Sequence, residues 1–355
     1  MEASKHAYDC VGYMSFCNLY EQDPVYQSIC ANILGHNVQT QLVVENIVAL
    51  HVPVYLSGIS TMPNLPLASS VCPHDLQYAK IEETIWNCLH ASVLGFGTFG
   101  TVFACTSKLD GQNYAMKSIP RHKIPTDICA EMNTLLHIGS HPHIVQLHAG
   151  FYDDSHLHLV MDYCPGGDLL HHLNTVIRFS ERRAALVCYQ LADALRYMHK
   201  CGVTHRDLKP ENILVVQDDG TNVLVRVADF GLSKICLDGS MMSTVCGNVA
   251  YRAPEIILQK RYDSSVDVWS LGALMFVLLA GYHPFDLTGK ASDQEILENI
   301  VRGDFDFSDP VWETVSLEAQ DLIRRLLVQD PQQRITLDDF IRSSWIFNNV
   351  CSLQF

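Results

Sequence analysis

The sequence predicts an α+β protein in which a small β-rich part precedes a larger helical one. Three observations carry this. Short strand-like segments, interrupted by one helical pattern, fill residues 88–162; helical spacing dominates after residue 167; and the composition changes near residue 85. With 48% apolar and 18% charged residues over 355 positions, the chain has material for a large core and is neither disordered nor fibrous.

Taken in order, residues 1–85 hold only Lys5 and Lys80 as basic side chains, and no arginine occurs before Arg121. Gln41–Leu56 is β-branched and reads as one or two strands broken at Pro53; residues 57–75, with Pro63, Pro66 and Pro73, read as a linker. Further on, Ile128, Met132, Leu135 and Leu136 share one face of a helix expected over Asp127–Ile138. Arg183–His199 sets Val187, Leu191, Leu195 and Met198 on one stripe, starting after Ser180 and stopping before Gly202. The longest apolar run, Val268–Gly281, is 14 residues, too short for a bilayer and suited to a buried core helix.

The net charge of −15, with 24 basic against 39 acidic residues, argues against a general nucleic-acid binder, which needs cations for phosphates. No signal peptide follows Met1, Glu2 excludes the usual myristoylation start, and no membrane partner is expected. Thirteen cysteines without a CxxC pair read as reduced thiols of an intracellular protein, cytoplasmic or nuclear.

The chemistry begins at Leu94-Gly95-Phe96-Gly97-Thr98-Phe99-Gly100-Thr101-Val102. Glycines at this spacing let backbone amides approach phosphate oxygens, and the β-branched, aromatic continuation to Cys105 reads as a strand and not a Rossmann helix. Lys117 follows 17 residues after Gly100 in Tyr114-Ala-Met-Lys117. Then come His205-Arg-Asp-Leu-Lys-Pro-Glu-Asn212, Asp229-Phe-Gly231 placed 22 residues beyond Asp207, and Ala253-Pro-Glu255. In this order and spacing the motifs resemble the eukaryotic protein kinases.

The resemblance implies a bilobal kinase fold over residues 86–346: an N-lobe at 86–161, a hinge at 162–168 and a C-lobe at 169–346. Residues 1–85 are then an N-terminal extension and 347–355 a short tail. It further implies ATP and Mg²⁺ as cofactors. The glycine stretch would cover the phosphates, and Lys117 would hold them, oriented by Glu131 or, one turn earlier, Asp127. Asp207 would accept the proton of the substrate hydroxyl, Asn212 and Asp229 would bind Mg²⁺, and Lys209 marks a serine/threonine kinase. Val102, Ala115 and Leu214 would wall the adenine, Met161 would be the gatekeeper, Asp162 and Cys164 hinge positions whose backbone meets the base, and Asp168 the ribose-side carboxylate. The same resemblance makes His205 a packed residue beneath Phe230, Asp267 a brace for the catalytic loop, and Glu255 with Arg334 a buried ion pair. His141, His143, His156 and His158 read as structural.

Arg206 before Asp207 marks a kinase switched on by activation-loop phosphorylation, which implies an upstream activating kinase. Thr244 matches the usual site, Ser240 and Ser243 are rivals, and Lys234 would help Arg206 receive the charge. The C-terminal stretch, with His283-Pro-Phe-Asp286, Val311–Ser316 and Asp330–Arg334, resembles the calcium/calmodulin-dependent kinase group, most of all its checkpoint-kinase-like branch. That branch pairs the kinase with an FHA domain. The arginine-free extension reads as an FHA remnant or a separate β-rich module, and no calmodulin-binding tail is expected after Ile346. Asp168 and Glu211 imply arginine-directed protein substrates. One departure is Asn248, where a threonine hydroxyl usually bridges the catalytic Asp and Lys. The alternatives are a pseudokinase scaffold and a small-molecule kinase, the latter disfavoured by Ala253-Pro-Glu255 and Lys209.

Overall fold

The computed structural model describes residues 86–97, 100–108, 110–123, 128–236 and 240–351. The strands expected at 41–56, the role of the extension, Thr98, Phe99 and Asp127 lie outside them. Five strands come first, β1 (Trp86–Phe96), β2 (Thr101–Ser107), β3 (Asn113–Pro120), β4 (Leu147–Tyr152) and β5 (His156–Asp162), in sheet order β1-β2-β3-β5-β4. β2 pairs antiparallel with β3, and β5 pairs antiparallel with both β3 and β4. Side chains alternate across a strand, so Ala115, Lys117 and Ile119 share one face of β3. That face is buried, and Ile119 belongs to the same core as Leu135 and Ile138 of helix α1 (Ile128–Ile138). Residues 88–106 and 113–355 cluster into one unit, which holds nearly all of the described sheet and every described helix; residues 107–112 fall in another, where the amides of Gly111 and Ser107 donate to the carbonyls of Ser107 and Gln112.

Helices dominate after the hinge. α2 (Leu169–Val176) is capped by Asp168, and α3 (Glu181–Lys200) by Ser180, whose side chain accepts from the Arg183 amide. The stripe Val187, Leu191, Leu195 and Met198 is fully buried. Short strands β6 (Val203–Thr204), β7 (Ile213–Asp218), β8 (Val223–Val227) and β9 (Lys234–Ile235) pair as β6–β9 and β7–β8. They carry the catalytic segments between them. Beyond lie α4 (Pro254–Ile257) and α5 (Ser265–Ala280), then α6 (Asp293–Arg302), α7 (Leu317–Leu326), α8 (Leu337–Ile341) and α9 (Ser344–Ile346).

α5 contains the long apolar run and is buried nearly all round, so it is the spine of the helical part. Among the described residues no helix is long and apolar enough to cross a membrane. Two buried charged groups brace this spine. Arg334 donates to both oxygens of Glu255 at 2.6 and 2.7 Å, and also to the carbonyls of Val328 and Ser265. Asp267, fully buried, accepts from the amides of His205 and Arg206 and from His199 Nε2, each at 2.9 Å. Burial pushes the Asp267 carboxyl up, but the hydrogen bond and charge of His199 with those of the loop outweigh it and hold the group below its ordinary value. Both residues are scaffold, as expected.

The histidines are structural as well. His141 stacks on Tyr197 at 4.8 Å, His143 Nδ1 meets the carbonyl of Val225, and His158 bridges Asp153 to Ser118 at 2.8 Å on each side.

Candidate active site

β3 delivers Lys117 and α1 delivers Glu131 to the same buried spot. Lys117 Nζ lies 2.8 Å from both Glu131 oxygens and 3.8 Å from Asp229 Oδ1. The side chains are 6% and 3% exposed, so the amine is fixed and shielded, conditions under which its charge acts strongly on an anion. Glu131 is therefore the carboxylate that orients Lys117. Above them the glycine hairpin closes on itself, with Gly97 N donating to Gly100 O at 2.8 Å and Gly100 N to Gly97 O at 3.3 Å. A Cβ at Gly100 would overlap the carbonyl oxygen of Ser118, while one at Gly97 would sit 3.6 Å from Lys117 Cε. Glycine is thus sterically required at 100, and Gly97 lies beside the lysine stem. Leu94 and Phe96 are exposed on the hairpin, and Gly95 has open space around it. Val102 faces Lys117 in the β2–β3 register, and Ala115 faces Met161 in β3–β5.

The catalytic loop follows α3 and β6. Asp207 Oδ2 accepts from Asn212 Nδ2 at 2.9 Å and lies 2.9 Å from Lys209 Nζ; Oδ1 accepts from the backbone amide of Asn248 at 2.8 Å. Asn212 Nδ2 also donates to the Asp207 carbonyl at 2.7 Å. Its amide donors are spent on Asp207, which leaves its Oδ1 as the oxygen able to bind a cation. His205 is fully buried: its Nδ1 accepts from the Asp207 amide, and its Nε2 donates to the Ala228 carbonyl at 3.1 Å. Its ring meets Phe230 edge-on at 5.3 Å, so it is packing, as expected. Asp229, the residue before Phe230, has a left-handed φ of 59° and accepts the Gly231 amide on Oδ1 at 3.3 Å.

Three positions have partners that their sequence motifs do not show. Asn248 does not replace the threonine bridge with its side chain: its backbone amide meets Asp207, and its Oδ1 accepts from Ala250 N at 3.0 Å. At the hinge, the Asp162 amide already donates to the Gln146 carbonyl at 3.1 Å, so only its carbonyl is left for a base. The Asp162 carboxylate is held by His148 Nε2, the Gln146 amide and Arg226; burial pushes it up, yet these partners keep it below its ordinary value. Finally, Arg206 already has two partners before any phosphate is added. Its Nε donates to the Leu232 carbonyl at 2.7 Å and its Nη1 to Tyr262 Oη at 3.2 Å.

Cys164 lies in the hinge with its thiol pushed up to about 11 by burial, which disfavours the reactive thiolate. Asp168 Oδ1 caps α2 through the His171 amide at 2.8 Å, and Asp168 bridges Leu214 across the backbone. Glu211 is exposed in the turn before β7, and Thr244 and Lys234 are exposed in the segment after Asp229. Two contributors carry no local signal in the sequence. Arg252 donates to the carbonyls of Cys246 at 3.1 Å and Gly247 at 2.6 Å, and Tyr262 contacts Arg206 from 56 residues away.

The donor set fits magnesium. Asp229 Oδ1 and Asn212 Oδ1 are hard oxygens, and Mg²⁺ takes one or two such ligands beside phosphates and water. A buried amine beside a glycine that leaves its flank open fits a polyphosphate: a Cβ on Gly97 would come within 3.6 Å of Lys117 Cε.

Residues 89–346 match the protein kinase domain family. Calcium-dependent protein kinase 33 of Arabidopsis thaliana is 36% identical over 258 residues, 71% of this chain and 49% of that protein. Calcium-dependent protein kinase 12 of Oryza sativa subsp. japonica is 36% identical over the same length, and the serine/threonine-protein kinase DCLK3 of Mus musculus is 37% identical over 257 residues, 32% of its length. The chain thus spans about half or less of the curated relatives it matches. Its motifs, its two-part α+β architecture and these similarities agree: the chain belongs to the protein kinase family, among the serine/threonine kinases of the calcium/calmodulin-dependent group.

Proposed function

We propose that the chain is an active serine/threonine protein kinase that transfers the γ-phosphoryl group of MgATP to Ser or Thr hydroxyls of other proteins. The observation that carries this is the meeting of Lys117, Glu131 and Asp229 within 4 Å, with Asp207 braced by Asn212, Lys209 and Asn248. Lys117, held by Glu131, binds the α- and β-phosphates. Magnesium, held by Asn212 and Asp229, would neutralise charge as it builds on the phosphates. Asp207 orients the substrate hydroxyl and takes its proton while that oxygen bonds to the γ-phosphorus; the bond from phosphorus to the bridging oxygen breaks, and ADP keeps the electron pair. Lys209, beside Asp207, is placed to offset charge on the transferred group. Asp168 and Glu211 would favour arginine near the acceptor, and phosphorylation of Thr244 by an upstream kinase would raise activity by drawing on Arg206 and Lys234. Free thiols at Cys105, Cys164, Cys188, Cys201, Cys236 and Cys246 accord with a cytoplasmic or nuclear setting.

Peptide arrays bearing Ser, Thr or Tyr acceptors with and without flanking arginine test the reading. Label on Ser and Thr only, absent with Asp207→Asn, is expected. No label from wild type carrying phosphate on Thr244 would establish the scaffold instead.

A further inference from the structure

Tyr262 lies in the turn before α5, outside every catalytic motif, and is buried. It joins the activation segment twice. Its backbone exchanges hydrogen bonds with Met242, at 2.8 and 2.9 Å, and its hydroxyl donates to the carbonyl of Thr244 at 2.7 Å. The same hydroxyl oxygen accepts from Arg206 Nη1 at 3.2 Å and lies 3.9 Å from Cys246 Sγ. Arg206 meanwhile donates from Nε to Leu232 at the start of the segment, and its own amide is pinned by Asp267.

Directly at Leu232, and through the Tyr262 hydroxyl at Thr244, one guanidinium therefore ties two points of the activation segment to the loop that carries Asp207, with no phosphate in the chain of bonds. The contact passes on to the site. Gly247, at φ 88°, packs so closely that a Cβ there would overlap the Arg206 carbonyl oxygen. The next residue, Asn248, gives its amide to Asp207. Burial favours the neutral phenol over the phenolate, with Arg206 pulling the other way, so Tyr262 keeps the proton it donates.

We propose that Tyr262 is a positioning residue for phosphoryl transfer. Its hydroxyl takes the place of a phosphate on Arg206 and holds residues 242–248 in register with Asp207 in the unphosphorylated enzyme. The proposal rests on the kinase reading and deepens it, since it makes the enzyme active before Thr244 is modified and makes phosphorylation a reinforcement. Replacement of one hydroxyl is enough to expose this, because a hydrogen bond to a charged partner is worth about a tenfold change in an equilibrium.

The test is Tyr262→Phe, which keeps the buried ring, in full-length protein made with Thr or with phosphothreonine at 244. In the Thr form kcat should drop about tenfold with KM for ATP little changed, and amides of 242–248 should exchange with solvent faster. In the phosphothreonine form wild type and variant should agree within about twofold, because phosphate now engages Arg206 directly. An equal loss in both forms would mean that the hydroxyl serves only the fold, and no loss in the Thr form would mean that Arg206 needs no such partner; either overturns the proposal. If wild type transfers no phosphate at all, the kinase reading fails. The exchange measurement then still decides Tyr262, since unchanged exchange at 242–248 rejects it.

Discussion

Asn248 shows how a substitution that looks chemical can be neutral. The contact to Asp207 comes from its backbone, and every residue except proline supplies that donor. Asn248→Ala is expected to leave kcat within about twofold, since only the local bond to Ala250 is lost. Asn248→Pro removes the amide donor and is expected to lower kcat at least about tenfold. A tenfold loss in Asn248→Ala, measured by steady-state transfer to a serine peptide, would return the role to the side chain. The pair of Lys117 with Glu131 is the opposite case. Its spacing of 14 residues, strand then helix, was legible in the sequence, and the geometry has both oxygens at 2.8 Å from one amine.

At the scale of elements, the catalytic loop is held from below by α5. Asp267 satisfies two loop amides and His199, all in a buried setting, so removing its charge leaves those donors unpaired. Arg334 with Glu255 fastens α4 to the turn before α8, and breaking one side strands a buried charge. Arg334→Leu is therefore expected to cost about 3–5 kcal/mol of stability by urea denaturation, with a loss under 1 kcal/mol contradicting the account. Motif reading captured these braces because their residues sit inside recognisable stretches. It missed Tyr262 and Arg252, whose partners are 56 and about five residues away and are reached through carbonyls and a phenol. Backbone partners leave no trace in side-chain patterns. The Asp162 amide was missed for the same reason, being spent on Gln146 across the strand.

For the molecule as a whole, the acid side of its stability is set by buried groups. Burial drops His283 from 6.5 to about 4, so between those values the unfolded chain binds a proton that the folded chain does not, and stability falls as pH falls through that window. Asp267 is held below 3.8, so its contribution is present above 3.8 and is lost as pH drops further through its folded value. His141 and His143, also lowered by burial, act in the same direction, so the melting temperature should decline from pH 6.5 to 4 and again below, and His283→Leu should lessen the first decline while leaving the second. An unchanged upper decline in that variant would remove His283 as one of its sources. The two-part architecture, the glycine hairpin and the order of the motifs were all readable from periodicity and spacing. How the activation segment is clasped was not, because it is a tertiary arrangement of carbonyls around Arg206.

The account stands on Asp207 facing a nucleotide held by Lys117 and Asp229. Single-turnover transfer of labelled γ-phosphoryl to a serine peptide, with ATP binding measured beside it, tests this most directly. Asp207→Asn should bind ATP as wild type does and transfer about a hundredfold or more slowly, while Lys117→Met and Asp229→Asn lose both. Transfer by Asp207→Asn at the wild-type rate would contradict the account.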